Sequence, residues 1–176
     1  MDKIMFCTDG KVGSEHCPGA NDIIEYFTQI TLNGQCVIPE PKPDSKKLVG
    51  KFYTIEIRSV KTVDSIEVDH SQRIDGKKVV FTGTFNLGIE YLGTEPAQNV
   101  HYFECKLPFN AVIIPYYEHR EHVFPSDFKL EDYIVYACVE HISITRISER
   151  IFERAIILMV WLKKVIGSQK EGDSSE

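Results

Sequence analysis

The sequence predicts an all-β fold: an antiparallel β-sandwich of about six to eight strands, with one short helical turn and flexible N- and C-terminal tails. Two observations carry this. Residues 78–91 alternate apolar and polar side chains with period two, which no helix satisfies. Around that stretch lie further runs rich in β-branched and aromatic residues, separated by Gly, Pro and Asp-Gly signals.

Taken in order, residues 1–22 place Gly10, Gly13, Pro18 and Gly19 among charges without periodicity, and are expected to form a flexible arm. The domain body runs over 23–164, and 165–176 form a polar, disordered tail. Residues 23–30 are β-capable and either extend the first strand or add to the edge of a partner. That strand spans 29–38 and closes at Pro39. In 41–48, Asp44 is a natural N-cap for a single helical turn that lets Leu48 plug the core. Residues 52–59 form a strand extending toward Val68, and the Asp75-Gly76 pair marks a turn. In the strand 78–91, Val79, Phe81, Gly83, Phe85, Leu87, Ile89 and Tyr91 share one face, while Thr82, Thr84, Asn86 and Glu90 share the other. Gly83 and Gly88 within it suggest a bend or bulge. Residues 100–114 read as a strand broken by Pro108, and 133–145 as another strand. The last element, 148–164, fits two patterns. Ile147, Ile151, Ala155, Leu158 and Leu162 approach helical spacing behind Ser148 as N-cap, whereas Phe152, Arg154, Ile156, Leu158 and Val160 alternate as in a buried strand.

Composition narrows the function classes. A length of 176 residues suits one domain, and 43% hydrophobic with 26% charged residues excludes wholesale disorder. The net charge of −6, from 20 Lys+Arg against 26 Asp+Glu, argues against nucleic acid and against an anionic membrane surface, since both require a basic face. The N-terminus lacks the apolar segment of a signal peptide, and the longest apolar run, 155–162, is far short of the ~20 residues of a membrane helix. A chain made in the cytoplasm, without membrane insertion, is therefore expected. Five cysteines (Cys7, Cys17, Cys36, Cys105, Cys138) form no close pair, so neither a zinc ribbon nor a redox CxxC is available. Free thiols are the expectation, with Cys105 and Cys138 acting as small buried hydrophobes. Cys7 and Cys17 stand apart in a polar leader.

No catalytic signature appears. In 116–122, His119 and His122 with Glu118 and Glu121 could offer metal ligands, but the spacing is not HExxH, and a solvated loop is the better reading. His16 and Cys17 with Cys7 lack a fourth ligand. His101 and His141 fall in strand-like stretches and are read as structural. A GxSxG elbow, a GxxxxGK[ST] loop and a GxGxxG turn are all absent. The expectation is a non-enzyme without cofactor or metal.

Several segments together resemble one family. They are 29–44 (QITLNGQCVIPEPKPD), 81–91 (FTGTFNLGIEY), 100–110 (VHYFECKLPFN), and the closing pair 135–147 and 150–162. This is similar to the SPOCS domain, the β-rich domain of spore-coat morphogenetic proteins of endospore-forming bacteria. The matching positions are Val37, Pro39, Glu40, Lys42, Pro43 and Asp44, then Gly83, Ile89 and Tyr91, then Val100, His101, Pro108 and Phe109. The structural residues of the motif are thus Pro39, Pro43, Asp44, Gly83, Tyr91, His101, Pro108 and Phe109. The resemblance implies that the last element is a strand, in a closing hairpin that turns near 147–150. Coat-anchoring members carry a LysM module and often several SPOCS copies; this sequence shows one copy and a polar tail.

The resemblance implies a structural or assembly protein of the spore envelope (coat or exosporium), deposited on the spore surface layers. Its partners would be itself, as a homo-oligomer, or other spore-coat proteins. Cys7 and Cys17 are the candidates for cross-linking neighbours once the layer becomes oxidising. The alternative is a small-molecule or glycan-binding β-sandwich module, using an exposed face or the 115–125 loop, with a concave pocket lined by aromatics such as Tyr116, Tyr117 and Phe124.

Overall fold

The structure is a computed structural model that describes residues 11–12, 16–22, 24, 26–64, 77–113 and 128–165. Its strands are β1 (Lys11–Val12), β2 (Tyr26–Thr31), β3 (Gly34–Val37), β4 (Ser45–Asp64), β5 (Lys77–Gly93), β6 (Val100–Ile113), β7 (Tyr133–Arg146) and β8 (Ile151–Lys164). The first sheet runs β1-β7-β8-β2, with β3 also pairing β8; the second runs β4-β5-β6. Only the two-residue β1 is parallel to its neighbour, so the fold is the antiparallel β-sandwich expected. No helix among the described residues is long and apolar enough to cross a membrane.

The core lies between the central strands of the two sheets. From β5 come Phe81, Phe85, Leu87, Ile89 and Tyr91, the apolar face of the alternating stretch, and from β8 come Phe152, Ile156, Leu158 and Val160; all are fully buried. β8 differs from β5 in that Met159 and Trp161, on its other face, are buried as well. Both faces of its C-terminal half are covered, which produces a near-continuous apolar run and explains why the sequence pattern there was ambiguous. The strand reading prevails, and the hairpin turn lies at 147–150, where Ile147 N–H donates to the Ile151 carbonyl.

Three local expectations are corrected. No helical turn follows Asp44: β4 begins at Ser45, whose N–H and hydroxyl both donate to the Glu149 carbonyl. These long-range bonds outcompete a local cap, while Leu48 still packs on the core. The short helical turn is instead a 3₁₀ turn at Leu130–Asp132. Pro108 does not break its strand, because β6 is an edge strand and one row of its amides needs no partner. The single strand expected over 29–38 is two strands on the same neighbour, parted at Leu32 and Asn33 before Gly34, whose φ is 139°. The expected extension toward Val68 and the Asp75-Gly76 turn lie outside the described residues.

The glycines of β5 serve close approach. A Cβ on Gly83 would stand 2.5 Å from the Glu56 carbonyl oxygen and 2.5 Å from the Phe109 ring, leaving no room for relief. At Gly50 the nearest atom to an added Cβ is the mobile end of Glu90, at 2.7 Å. Gly83→Ala should therefore destabilise the fold by about 1–3 kcal/mol in urea titration, and Gly50→Ala by well under that. Equal effects of the two substitutions would contradict this account.

Candidate functional site

The family-like residues gather at one corner of the sandwich, where the chain crosses from β3 in the first sheet to β4 in the second. Residues 38–44 make this crossing, and Arg150, in the β7–β8 turn, reaches into it. Its guanidinium donates from Nη2 to the Ile38 carbonyl (3.0 Å) and from Nη1 to the Lys42 carbonyl (3.2 Å) and Asp44 Oδ1 (2.6 Å). Glu40 Oε1 lies 3.1 Å from Nη2. The planar five-donor fork suits this task, because it satisfies several fixed acceptors at once. The Asp44 hydrogen bond holds the Arg150 pKa above its ordinary value.

A second arginine repeats the pattern one strand-end earlier. Arg146 donates from Nε to Ser45 Oγ (2.9 Å) and from Nη2 to the Ser45 carbonyl (2.7 Å). From the other sheet, Tyr91 donates its hydroxyl to the Pro43 carbonyl at 3.0 Å, and burial pushes its pKa up. The Tyr91 ring packs near His101, Phe103 and Phe152. His101 hydrogen-bonds Glu95 in the β5–β6 turn, and that bond holds the Glu95 carboxyl below its usual range. Thr94 N–H donates to the Asp44 carbonyl, closing the corner.

Of the motif residues, the corner thus brings together Pro39, Pro43, Asp44, Tyr91 and His101. Gly83, Pro108 and Phe109 lie elsewhere, on the β5–β6 ladder, with Phe109 directly opposite Gly83. His101 pairs with Glu95 and packs beside Tyr91, and His141 lies exposed on β7. Arg146, Arg150 and Ser45 were not singled out from sequence. The available signal was one arginine just before the 147–150 turn and another at its end, which carries meaning only once their acceptors, about a hundred residues upstream, are known.

The cysteine expectations change most. Cys17 and Cys138 form one disulfide, and Cys36 and Cys105 form another. Free thiols are therefore not the state of these four, and Cys17 is engaged within the chain rather than left for a neighbour. Cys7 lies outside the described residues, as do Tyr116, Tyr117, Glu118, His119, Glu121, His122 and Phe124. Cys36–Cys105 joins β3 to β6 and so links the two sheets. By the chain-entropy account, closing loops of this length contributes about 4–5 kcal/mol each.

Cys17–Cys138 pins residues 16–22 and Ile24 across the outer face of the first sheet. His16 N–H donates to the Ala137 carbonyl, Trp161 Nε1 donates to the His16 carbonyl (3.0 Å), and Ile24 packs on Cys138, Met159 and Trp161. The flexible arm expected over 1–22 does not include these residues; a polar, glycine-containing segment is tied down by contacts invisible to local pattern. Asp22 secures the end of this strap through Lys163 Nζ (2.6 Å), Gly19 N–H (2.8 Å) and the His16 ring (3.2 Å). Led by the Lys163 bond, these partners hold the Asp22 carboxyl well below the usual carboxylate range.

A groove of about 300 Å³ on the outer face of the second sheet is lined by Phe52, Thr54, Asn86, Gly88, Glu104 and Lys106. Among the described residues, no three His, Cys, Asp or Glu side chains are gathered as a metal site would require.

Fold and corner together define a β-sandwich module whose distinctive polar side chains fasten one sheet to the other. The family model described as "SipL, SPOCS domain" matches residues 53–147. That is more than half of the chain, which belongs to the SPOCS-domain family. Membership points to a role in sporulation. The match includes Gly83, Tyr91, His101, Pro108 and Phe109, and ends before Arg150. No curated protein and no solved structure matches the chain.

Two tests follow from this geometry. Arg150→Lys should lower the urea midpoint nearly as far as Arg150→Met does, because one ammonium cannot reach Ile38, Lys42 and Asp44 together. Full stability in the lysine variant would show that charge alone suffices. Trp161, the chain's single tryptophan, reports on the strap. A depressed carboxyl pKa stabilises above the usual range and loses its effect as pH falls through the folded-state value. The difference in Trp161 fluorescence between the unaltered chain and Asp22→Asn, in both of which the His16 ring lies beside the indole, should thus be present at neutrality, persist to about pH 4 and close only in stronger acid. A difference between the two chains that closes at or above pH 4 would refute the assignment.

Proposed function

We propose that this chain is a non-enzymatic structural or assembly protein of the spore envelope, coat or exosporium, that works by protein–protein contact, first of all with copies of itself. Family membership supports the setting. The observation that carries the assembly reading is the state of the sheet edges. β4 is blunted by three register shifts and by Lys46, Lys47, Lys51 and Lys61. β6 carries Lys106 and Pro108. β2, at the end of the first sheet, has neither proline nor lysine and pairs with β8 in unbroken register. An unblunted edge accepts another strand, and here it carries Phe27, 52% exposed. Cys7, the cysteine outside the two disulfides, is the residue left for a covalent link between copies.

Light scattering over a concentration series, with and without reductant, tests this. The unaltered protein should form species larger than a monomer, while Phe27→Lys should remain monomeric with stability changed by less than about 0.5 kcal/mol. Cys7→Ser should remove the part of the association that requires oxidising conditions. A monomer at every concentration, reduced or oxidised, would defeat self-assembly.

A further inference from the structure

The two disulfides differ in what surrounds each sulfur. In Cys17–Cys138 the exposed member is Cys17, and Cys138 is fully buried among Ile24, Tyr136, Met159 and Trp161. An apolar shell disfavours a thiolate, so Cys138 is a poor leaving group. In Cys36–Cys105 the buried member is Cys36, 1% exposed, and Arg154 Nη1 lies 3.7 Å from its sulfur. Arg154 comes from β8, on the face opposite Glu153, and its Nη1 also donates to the Gln35 carbonyl. Among the described residues it has no carboxylate partner, and its Nε is buried with no partner at all. A partly desolvated guanidinium therefore faces the Cys36 sulfur with no anion to neutralise it. Burial draws its pKa down, but guanidinium remains charged well past neutrality. Cys105, in contrast, is only partly buried and sits on the edge strand β6, between the sheets.

We propose that Cys36–Cys105 is a thiol-exchange site, in which a low-molecular-weight thiol becomes attached to Cys105 while Cys36 departs as a thiolate held by Arg154. The incoming thiolate donates its electron pair to Cys105 Sγ; the Cys105–Cys36 bond breaks, and its pair goes to Cys36 Sγ. One S–S bond forms as one is lost, so no oxidant or reductant is consumed. The partly covered position of Cys105 admits a small thiol more readily than a cysteine on a folded partner. The released Cys36 thiolate would reverse the step once the small thiol is withdrawn, which makes the modification reversible. This chemistry is independent of the assembly reading.

The test uses the full-length oxidised chain with reduced glutathione as probe, quenched with N-ethylmaleimide and mapped by peptide mass spectrometry. Glutathione should appear on Cys105 and maleimide on Cys36, before any adduct at Cys17 or Cys138. Arg154→Met should slow formation of the adduct by about three- to tenfold, and Arg154→Lys should retain most of the rate, since a lower leaving-group pKa speeds exchange. First reaction at Cys17, glutathione on Cys36, or two intact disulfides after prolonged exposure would each overturn the proposal. An unchanged rate in Arg154→Met would remove Arg154 from it. Should that variant not fold, the map of the unaltered chain decides the site.

Discussion

The sandwich depends on one guanidinium. Arg150 collects the carbonyls of Ile38 and Lys42 and the carboxylate of Asp44 from a crossing segment that has no ladder of its own. Every buried carbonyl in such a segment requires a donor. Arg150 and Arg146 supply them from the β7–β8 hairpin, and Tyr91 supplies another from the facing sheet. The prolines at 39 and 43 fit the same requirement, since they reduce the number of N–H groups the segment must satisfy. What reads in sequence as a proline-rich turn is a receptor for two arginines.

How much of this was legible depends on the range of the interactions. β5 could be read directly, because one face meets the core and the other does not, so its alternation survives in the sequence. β8 could not, because the strap formed by residues 16–22 and Ile24 covers its outer face and erases the alternation. Asp44 carried a true capping preference whose partner was not the next turn of chain but Arg150. Pro108 was misjudged because being at the edge of a sheet is a property of topology, not of local sequence. The disulfides span separations of 121 and 69 residues, where spacing gives no guidance. Of the corner, Pro39, Pro43, Asp44, Tyr91 and His101 were visible through family likeness; the arginines that give them a purpose were not.

The two faces of the first sheet are held by different means. Toward the second sheet the bond is the shared aromatic and aliphatic core, locked by Cys36–Cys105. On the outside it is a short strap fixed by one disulfide, one indole hydrogen bond and the Asp22–Lys163 pair. The inner attachment is mostly buried area, which persists when its disulfide opens, whereas the outer one is mostly a few discrete links.

The order of the strands along the chain has a consequence for how the protein is made. β4, β5 and β6 are consecutive and pair with their neighbours in sequence, so the second sheet can zip as it leaves the ribosome. β2, β3 and β7 all pair with β8, which follows every one of them. Until residues 151–164 emerge, the first sheet lacks its central member, the strand on which β2 pairs. A nascent chain thus passes through an interval in which one half of the sandwich is complete and the other is a set of strands waiting for the last.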